Sequence, residues 1–399
     1  MFYAGIDIAK RSHEASVIDV EGKPLFDSIS ITNTKEGCDK LSTLFEKFEI
    51  AKDDVVIGME ATGHYWLAIH ECLTEQGYDV RVINPIQSEA FRKMYIRQTK
   101  NDSKDSFIIA QVMRFGQYSE TSLSDENLVA MRQLSRFRFA LVDNCGDCKR
   151  RIIALLDQVF PEYATLFSDT FGKTSKELLL QCPTPEDMLS VSTRKLTTLL
   201  SKTSRGRFGE EKAKEIRSAA ADSFGVGFAK NAFAFQIRQL IEQLTFSENQ
   251  IEELEEQISL LLHQTNDVIT SIPGIGDTLG AVILSEIGDI NRFDAPGKLV
   301  AFAGLDVKVT QSGEFTGTKN KISKRGSPYL RRAIWLAANR AAFCDPILSD
   351  YYQSLKARGK HHMTAIGGVA RKLCNIIFTI LRENRPYQAQ PPKKQLKEG

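Results

Sequence analysis

The chain lacks a charge excess of either sign. Its 52 Lys and Arg stand against 50 Asp and Glu in 399 residues, a formal balance of +2. Any nucleic-acid contact must therefore come from local patches, not from an overall basic chain. Long apolar runs are also missing by eye, which argues against a membrane span. The opening Met1-Phe-Tyr-Ala-Gly5 carries no basic segment ahead of an apolar signal core. We therefore expect a cytoplasmic protein with no membrane partner. Cysteine is scarce, at seven, and only Cys145 and Cys148 form a C-x-x-C pair. No second pair and no histidine pair completes a zinc site. The same two cysteines fall on the stripe Leu141, Cys145, Cys148, Ile152, Leu155 and Val159, whose steps of four and three predict core packing on a helix. A glycine hairpin is absent after the first strand, where Asp7 is followed by Ile-Ala-Lys-Arg-Ser-His13. That argues against the phosphotransferases that cradle ATP on such a hairpin.

What is present is a set of acids in unusual places. Asp7 sits inside the apolar run Phe2–Ala9, and Glu60 closes a second run, Val55–Glu60. An unpaired carboxylate within a central strand is costly. Asp102 and Asp105 lie three apart where a polar loop becomes a helix, which suits a helix cap as well as a site. Together, two acids at strand ends and two on one helical turn can converge on a point. Such a cluster stays ionised when cations hold it, and hard oxygen ligands suit Mg²⁺ or Mn²⁺. The run Arg92, Lys93, Arg97, Lys100 and Lys104 beside the last pair suits a site that also receives a phosphate backbone.

The length suggests two or three domains. Alternation predicts three strands over residues 1–33, with Thr34 capping a helix to about Phe48. A buried strand at 54–61, a helix at 65–76, a strand at 79–84, a helix at 87–95 and a helix at 103–116 follow. This is α/β material with a ribonuclease H-like order. Residues 126–159 predict a long amphipathic helix, and 160–232 a helical insertion. Ile237, Leu240, Leu244, Ser247, Ile251, Leu254, Ile258 and Leu261 hold coiled-coil spacing, for pairing with 126–159 or with a second subunit. The boundaries we expect are a catalytic domain at 1–120, a helical coiled-coil region at 121–264, a mainly helical C-terminal domain at 265–385, and a disordered tail at 386–399.

In the C-terminal domain, Ser271-Ile-Pro-Gly-Ile-Gly276 reads as a helix-hairpin-helix turn. Its exposed amides, around Gly274 and Gly276, could hold a DNA phosphate. From 306 to 340, eight basic residues (Lys308, Lys319, Lys321, Lys324, Arg325, Arg331, Arg332 and Arg340) oppose Asp306 and Glu314, a candidate phosphate-binding face. A serine beside such charge could attack a phosphodiester if a base or metal activates it. Ser312, Ser323 and Ser327 all qualify by position.

The ordered motifs Gly5-Ile-Asp7-Ile-Ala-Lys10, Met59-Glu60-Ala-Thr-Gly63, Asn84-Pro85, Lys100-Asn-Asp102-Ser-Lys-Asp105, Ile272-Pro-Gly-Ile-Gly276, Ala303-Gly-Leu305, Gln311-Ser-Gly313, Lys324-Arg-Gly326 and Leu330-Arg-Arg332 resemble the DEDD-type insertion-sequence transposases. The resemblance covers about residues 1–385. It implies a RuvC-like domain whose Asp7, Glu60, Asp102 and Asp105 bind Mg²⁺, and a second domain whose Ser312 is the nucleophile. It further implies DNA cutting and rejoining through a covalent phosphoserine, guided by a noncoding bridge RNA that pairs with target and donor DNA. Homodimers or homotetramers would do this on the nucleoid of a bacterial or archaeal cell. A RuvC-like nuclease acting on branched DNA without a covalent step, and a non-enzymatic DNA-binding scaffold, are the competing expectations.

Overall fold

The computed structural model describes residues 1–26, 28–61, 64–83, 85–92, 102–116, 118, 126–265, 268–307, 311–312, 315–316 and 321–389; of Ile86, Asp102, Ser103, Gln311, Ser312, Phe315 and Thr316 only the backbone is described. The chain divides into two compact units, Met1–Ser124 and Asp125–Gly399.

The first unit is built on a mixed sheet. Strands β1 (Phe2–Asp7), β2 (Ser12–Ile18), β3 (Ile29–Thr32), β4 (Val55–Glu60) and β5 (Asp79–Ile83) lie in the order β3-β2-β1-β4-β5. The first three pair antiparallel, as short turns allow. β1 with β4 and β4 with β5 pair parallel, and helices make those crossovers. Helix α1 (Lys35–Lys47) starts at Thr34, whose hydroxyl accepts from the Gly37 amide at 3.3 Å, as expected. With α2 (Trp66–Glu75), it supplies Leu41, Phe45, Ile69 and Leu73 to a core under Ala4, Ile6, Ile57 and Met59. Helices α3 (Pro85–Arg92) and α4 (Asp102–Phe115) follow β5. Ile109, Val112 and Met113 of α4 pack with Tyr3 and Val56 on the other face. Sheet and helices agree with the expected ribonuclease H-like α/β class. The sequence reading missed one link: Cys38 and Cys72 are disulfide-bonded between α1 and α2.

The second unit is helical. Helix α5 (Glu126–Val159) has the expected bounds. Helices α6 (Tyr163–Leu166), α7 (Lys173–Gln181), α8 (Pro185–Ser190), α9 (Thr193–Thr203) and α10 (Glu210–Ala221) form the middle stretch. They are no loose insertion: Tyr163, Leu178, Leu196, Leu200 and Ile216 join Cys145, Cys148 and Ile152 in one buried core. Both cysteines are free and buried there, as their stripe predicted. Helix α11 (Lys230–His263) runs back along α5. Arg138 pairs with Glu255, and Lys149 with Glu248 at 3.3 Å, which sets the two helices antiparallel. The buried seam is Ala234, Ile237, Ile241, Leu244, Ser247, Ile258 and Leu262. Leu240, Ile251, Leu254 and Leu261 are only half-buried, a correction to the expected heptad.

Helices α12 (Asp277–Ile287), α13 (Pro296–Phe302), α14 (Pro328–Cys344), α15 (Pro346–Ala357) and α16 (His362–Glu383) enclose the C-terminal core, with the hairpin of β6 (Gln311–Ser312) and β7 (Phe315–Thr316) between α13 and α14. By length and composition alone, α16 is apolar enough to cross a membrane. Its Ile366, Val369, Leu373 and Ile377 lie in that core, packed on α13, α14 and α15. Tyr387, which the sequence reading put in the tail, is anchored: its amide donates to Ser271 Oγ at 2.8 Å and its hydroxyl to Asp345 Oδ2 at 2.7 Å. Residues 390–399 lie outside the described residues.

Candidate active site

Strand alternation places the acids. Ile6 and Met59 are in register and fully buried on the α1/α2 face. The next residues, Asp7 and Glu60, end adjacent parallel strands and face the opposite side, half-buried. Two residues earlier on that same face stand Gly5 and Gly58, also in register. A Cβ on Gly5 would overlap the Ser106 carbonyl and the Ala110 amide of α4; one on Gly58 would overlap Met113. Gly5 lets the backbone of α4 lie directly on the sheet, and Gly58 leaves room for the Met113 side chain. The hydroxyls of Ser16 and Ser106 then meet at 2.7 Å, and Asp105, next to Ser106, is 7 % exposed.

Helix α3 supplies partners for these acids from one face. Ser88 donates to Glu60 Oε2 at 2.7 Å. Arg92, one turn on, pairs with Asp105 Oδ1 at 2.9 Å and with Glu89 at 3.0 Å. Sequence reading noted Arg92 only as part of a basic run and missed Ser88, although the i, i+4 spacing was there to see. Among the described residues no group of three or more His, Cys, Asp or Glu stands ready to hold a metal ion. Asp102 begins α4, but its side chain is outside them. The carboxylates fit a hard divalent cation in donor type. In the geometry described, however, Arg92 takes the place of a cation at Asp105. Lys104 is exposed; Arg97 and Lys100 lie outside the described residues.

In the second unit, Ser312 pairs with Phe315 across the β6–β7 hairpin; its side chain is not described. The other two candidate serines have structural work. Ser323 donates to Asp306. Ser327 caps α14 by accepting from the Leu330 amide at 3.1 Å, and donates to Glu286 Oε2 at 2.7 Å. Glu286 is 6 % exposed and is gripped by the Arg136 guanidinium at 2.7 and 3.1 Å. Arg136 also lies over the Tyr329 ring at 4.7 Å. Sequence reading passed over Glu286, although a lone acid in the apolar stretch Leu279–Ile287 is the same signal that singled out Asp7.

The basic face divides in the same way. Lys321, Lys324 and Arg325 are exposed on a loop fixed by backbone bonds from Ser323, Lys324 and Ser327 to Asp306, Gly304 and Phe302. Arg331 reaches the Ala303 carbonyl at 3.4 Å. Arg332 makes a two-pronged pair with Asp143 at 2.7 and 2.8 Å over the Phe139 ring, and so holds that carboxyl below its ordinary range. Lys319 lies outside the described residues. In the Pro-Gly-Ile-Gly turn, Gly274 (φ +95°) backs onto α14, where a Cβ would come within 2.9 Å of the Ala341 amide. Gly276 precedes α12 in open space. An acid already stands in that first turn: Asp277 accepts from Ser259 at 2.5 Å and lies 3.3 Å from His263.

Comparison with known proteins shows the family to which the chain belongs. Residues 4–161 match the DEDD transposase family model, and residues 266–353 match that of the transposase IS116/IS110/IS902 family. The chain belongs to this transposase family. The transposase is 25 % identical to a 43.6 kDa protein of insertion element IS110 from Streptomyces coelicolor, over 98 % of this chain and 96 % of the relative. It is 24 % identical to a 44.8 kDa protein of insertion element IS116 from Streptomyces clavuligerus, over 98 % of each. It is 23 % identical to a pilin gene-inverting protein of Moraxella bovis, over 96 % of this chain and 97 % of that one. The transposase is thus a DNA-recombining enzyme, and both of its units contain matched residues.

Proposed function

We propose that this transposase is an RNA-guided recombinase of a mobile insertion sequence. Asp7, Glu60, Asp102 and Asp105 would hold Mg²⁺ or Mn²⁺, and Ser312 would be the nucleophile. The observation that supports the metal reading is that Asp7 and Glu60 end adjacent parallel strands on the sheet face where α4, which carries Asp105, lies against Gly5. When bound, the divalent ion supplies positive charge for the scissile phosphate. For Asp105 to join it, the Arg92 contact must open. The serine oxygen forms a bond to phosphorus while the bond to one sugar oxygen breaks, and that oxygen takes up a proton. An incoming sugar hydroxyl reverses the exchange, so rejoining consumes no ATP. Lys321, Lys324 and Arg325 suit the phosphate backbone by their exposure, with Arg97, Lys100, Lys104, Lys319, Arg331 and the Gly274–Gly276 turn as further candidate contacts; Arg332 is held by Asp143 instead.

We assign the two chemical parts to residues 1–120 and 265–385, joined by the helical region 121–264. The proposed partners are target and donor DNA, a noncoding guide RNA and further copies of the chain. Trapping under denaturing conditions tests the serine. The parent chain yields a protein–DNA adduct, and Ser312→Ala yields none while still binding RNA; an adduct that survives places the nucleophile elsewhere. A second reading, a nuclease that hydrolyses branched DNA, is favoured by the location of Asp7, Glu60 and Asp105 in one self-contained unit. It predicts cut DNA free of protein.

A further inference from the structure

A second basic surface lies apart from the loop at 321–326. From Tyr351 to Arg382 the chain has six Lys and Arg, two His and no Asp or Glu. Three of those cations, Lys356, Arg358 and Lys360, crowd the turn between α15 and α16, and all are exposed. None of the three forms an ion pair with the described residues. The turn is fixed: Gly359 adopts φ +74°, its amide donates to the Lys356 carbonyl at 2.9 Å, and the Lys360 amide reaches Leu355 at 3.1 Å. This is the left-handed glycine stop that closes a helix.

Aromatic rings adjoin that charge. Phe343, near the end of α14, is 63 % exposed. Its ring lies 5.3 Å from Tyr352, which lies 5.8 Å from the His362 ring. The Tyr352 hydroxyl meets His362 Nδ1 at 2.8 Å, which fixes the middle of this row. Lys356 is one turn beyond Tyr352 on the same side of α15. Asp350, the nearest acid along the chain, is turned about 200° away from Tyr352 around that helix. An exposed ring on an ordered aromatic base, beside cations with no counter-charge, is what an unpaired nucleotide needs: a face to stack on and positive charge for its phosphates.

We propose that the α14–α15–α16 corner is a binding site for single-stranded nucleic acid, with a base stacked on Phe343 and the backbone held by Lys356, Arg358 and Lys360. This rests on the recombinase reading, in which strands are unpaired during exchange. The test uses the full chain and fluorescence anisotropy with labelled single-stranded oligo(U) and oligo(dT) of about 20 nucleotides, and a duplex of the same length. Phe343→Ala should weaken single-strand binding about tenfold and leave duplex binding unchanged; Phe343→Trp should restore it. The triple variant Lys356→Ala/Arg358→Ala/Lys360→Ala should lower the slope of log K against log salt by about two. All four side chains are exposed, and an unchanged thermal melt confirms each fold. Single-strand affinity unaltered in Phe343→Ala, or equal losses on duplex and single strand, overturns the proposal. So does a parent chain that binds no single strand. A parent chain that binds them but never forms the serine adduct overturns the covalent mechanism instead.

Discussion

The two units treat a carboxylate on an apolar element in opposite ways. In the first, Asp7 and Glu60 end their strands half-exposed, with one hydroxyl donor to Glu60 from Ser88. In the second, Glu286 is nearly sealed, with both oxygens taken by Arg136 and one of them also by Ser327. A buried, fully matched acid is a structural tie: its charge is spent on its neighbours, and removing it strands a cation. A half-open acid at the rim of a sheet stays within reach of solution. Residue type does not separate the two cases; burial does.

That contrast breaks first at Asp7. Asp7→Ala should cut strand exchange by about 10³-fold or more with little loss of stability, measured by recombination in a plasmid assay beside a thermal melt. Undiminished exchange would make Asp7 a second Glu286. Glu286→Ala should do the reverse and cost about 3 kcal/mol of stability in denaturant titration, since Arg136 and Ser327 both lose their acceptor. A stable Glu286→Ala chain with no activity would move that residue into the catalytic group. Arg92→Ala should sharpen the comparison in the first unit. With its resident cation gone, Asp105 should take Mn²⁺ more readily, and the Mn²⁺ concentration that raises the melting temperature should fall about threefold; no change would detach Arg92 from the metal question.

The smallest effect concerns pH. Burial depresses the pKa of His13, which is fully enclosed on β2, below its ordinary 6.5; a hydrogen bond with Asn33 opposes this. The unfolded chain therefore binds this proton more readily than the folded one. The stability from the neutral ring is present above pH 6.5 and is lost as pH falls through the lower folded value. Denaturation of the parent should show that decline, and His13→Leu should flatten it.

Much of this was legible beforehand because burial and periodicity write directly into sequence. Asp7 stood out as a charge inside an apolar strand, and α5 could be bounded from its stripe. What escaped depends on residues meeting across the fold. Ser88 reads as one more polar residue until α3 is laid beside the end of β4. Arg332 reads as a phosphate ligand until Asp143, 189 residues away, claims it. Gly5 could be quoted as part of a motif, but its reason is the α4 backbone above it, which no local pattern contains. Leu240, Ile251, Leu254 and Leu261 keep a heptad in sequence, but how far each is covered depends on what packs against α11 from elsewhere in the chain.

The same pair of glycines carries an evolutionary consequence. Where side chains set the gap between two layers, a substitution on one can be absorbed by repacking the other. At Gly5 the spacer is a hydrogen atom, and the layers are main chain. The gauge of that edge has no fine adjustment: a single methyl group at position 5 would lift the helix that carries Asp105. At Gly58 the neighbour is the Met113 side chain, which can move aside, so position 5 is the one that tolerates nothing larger than it already holds.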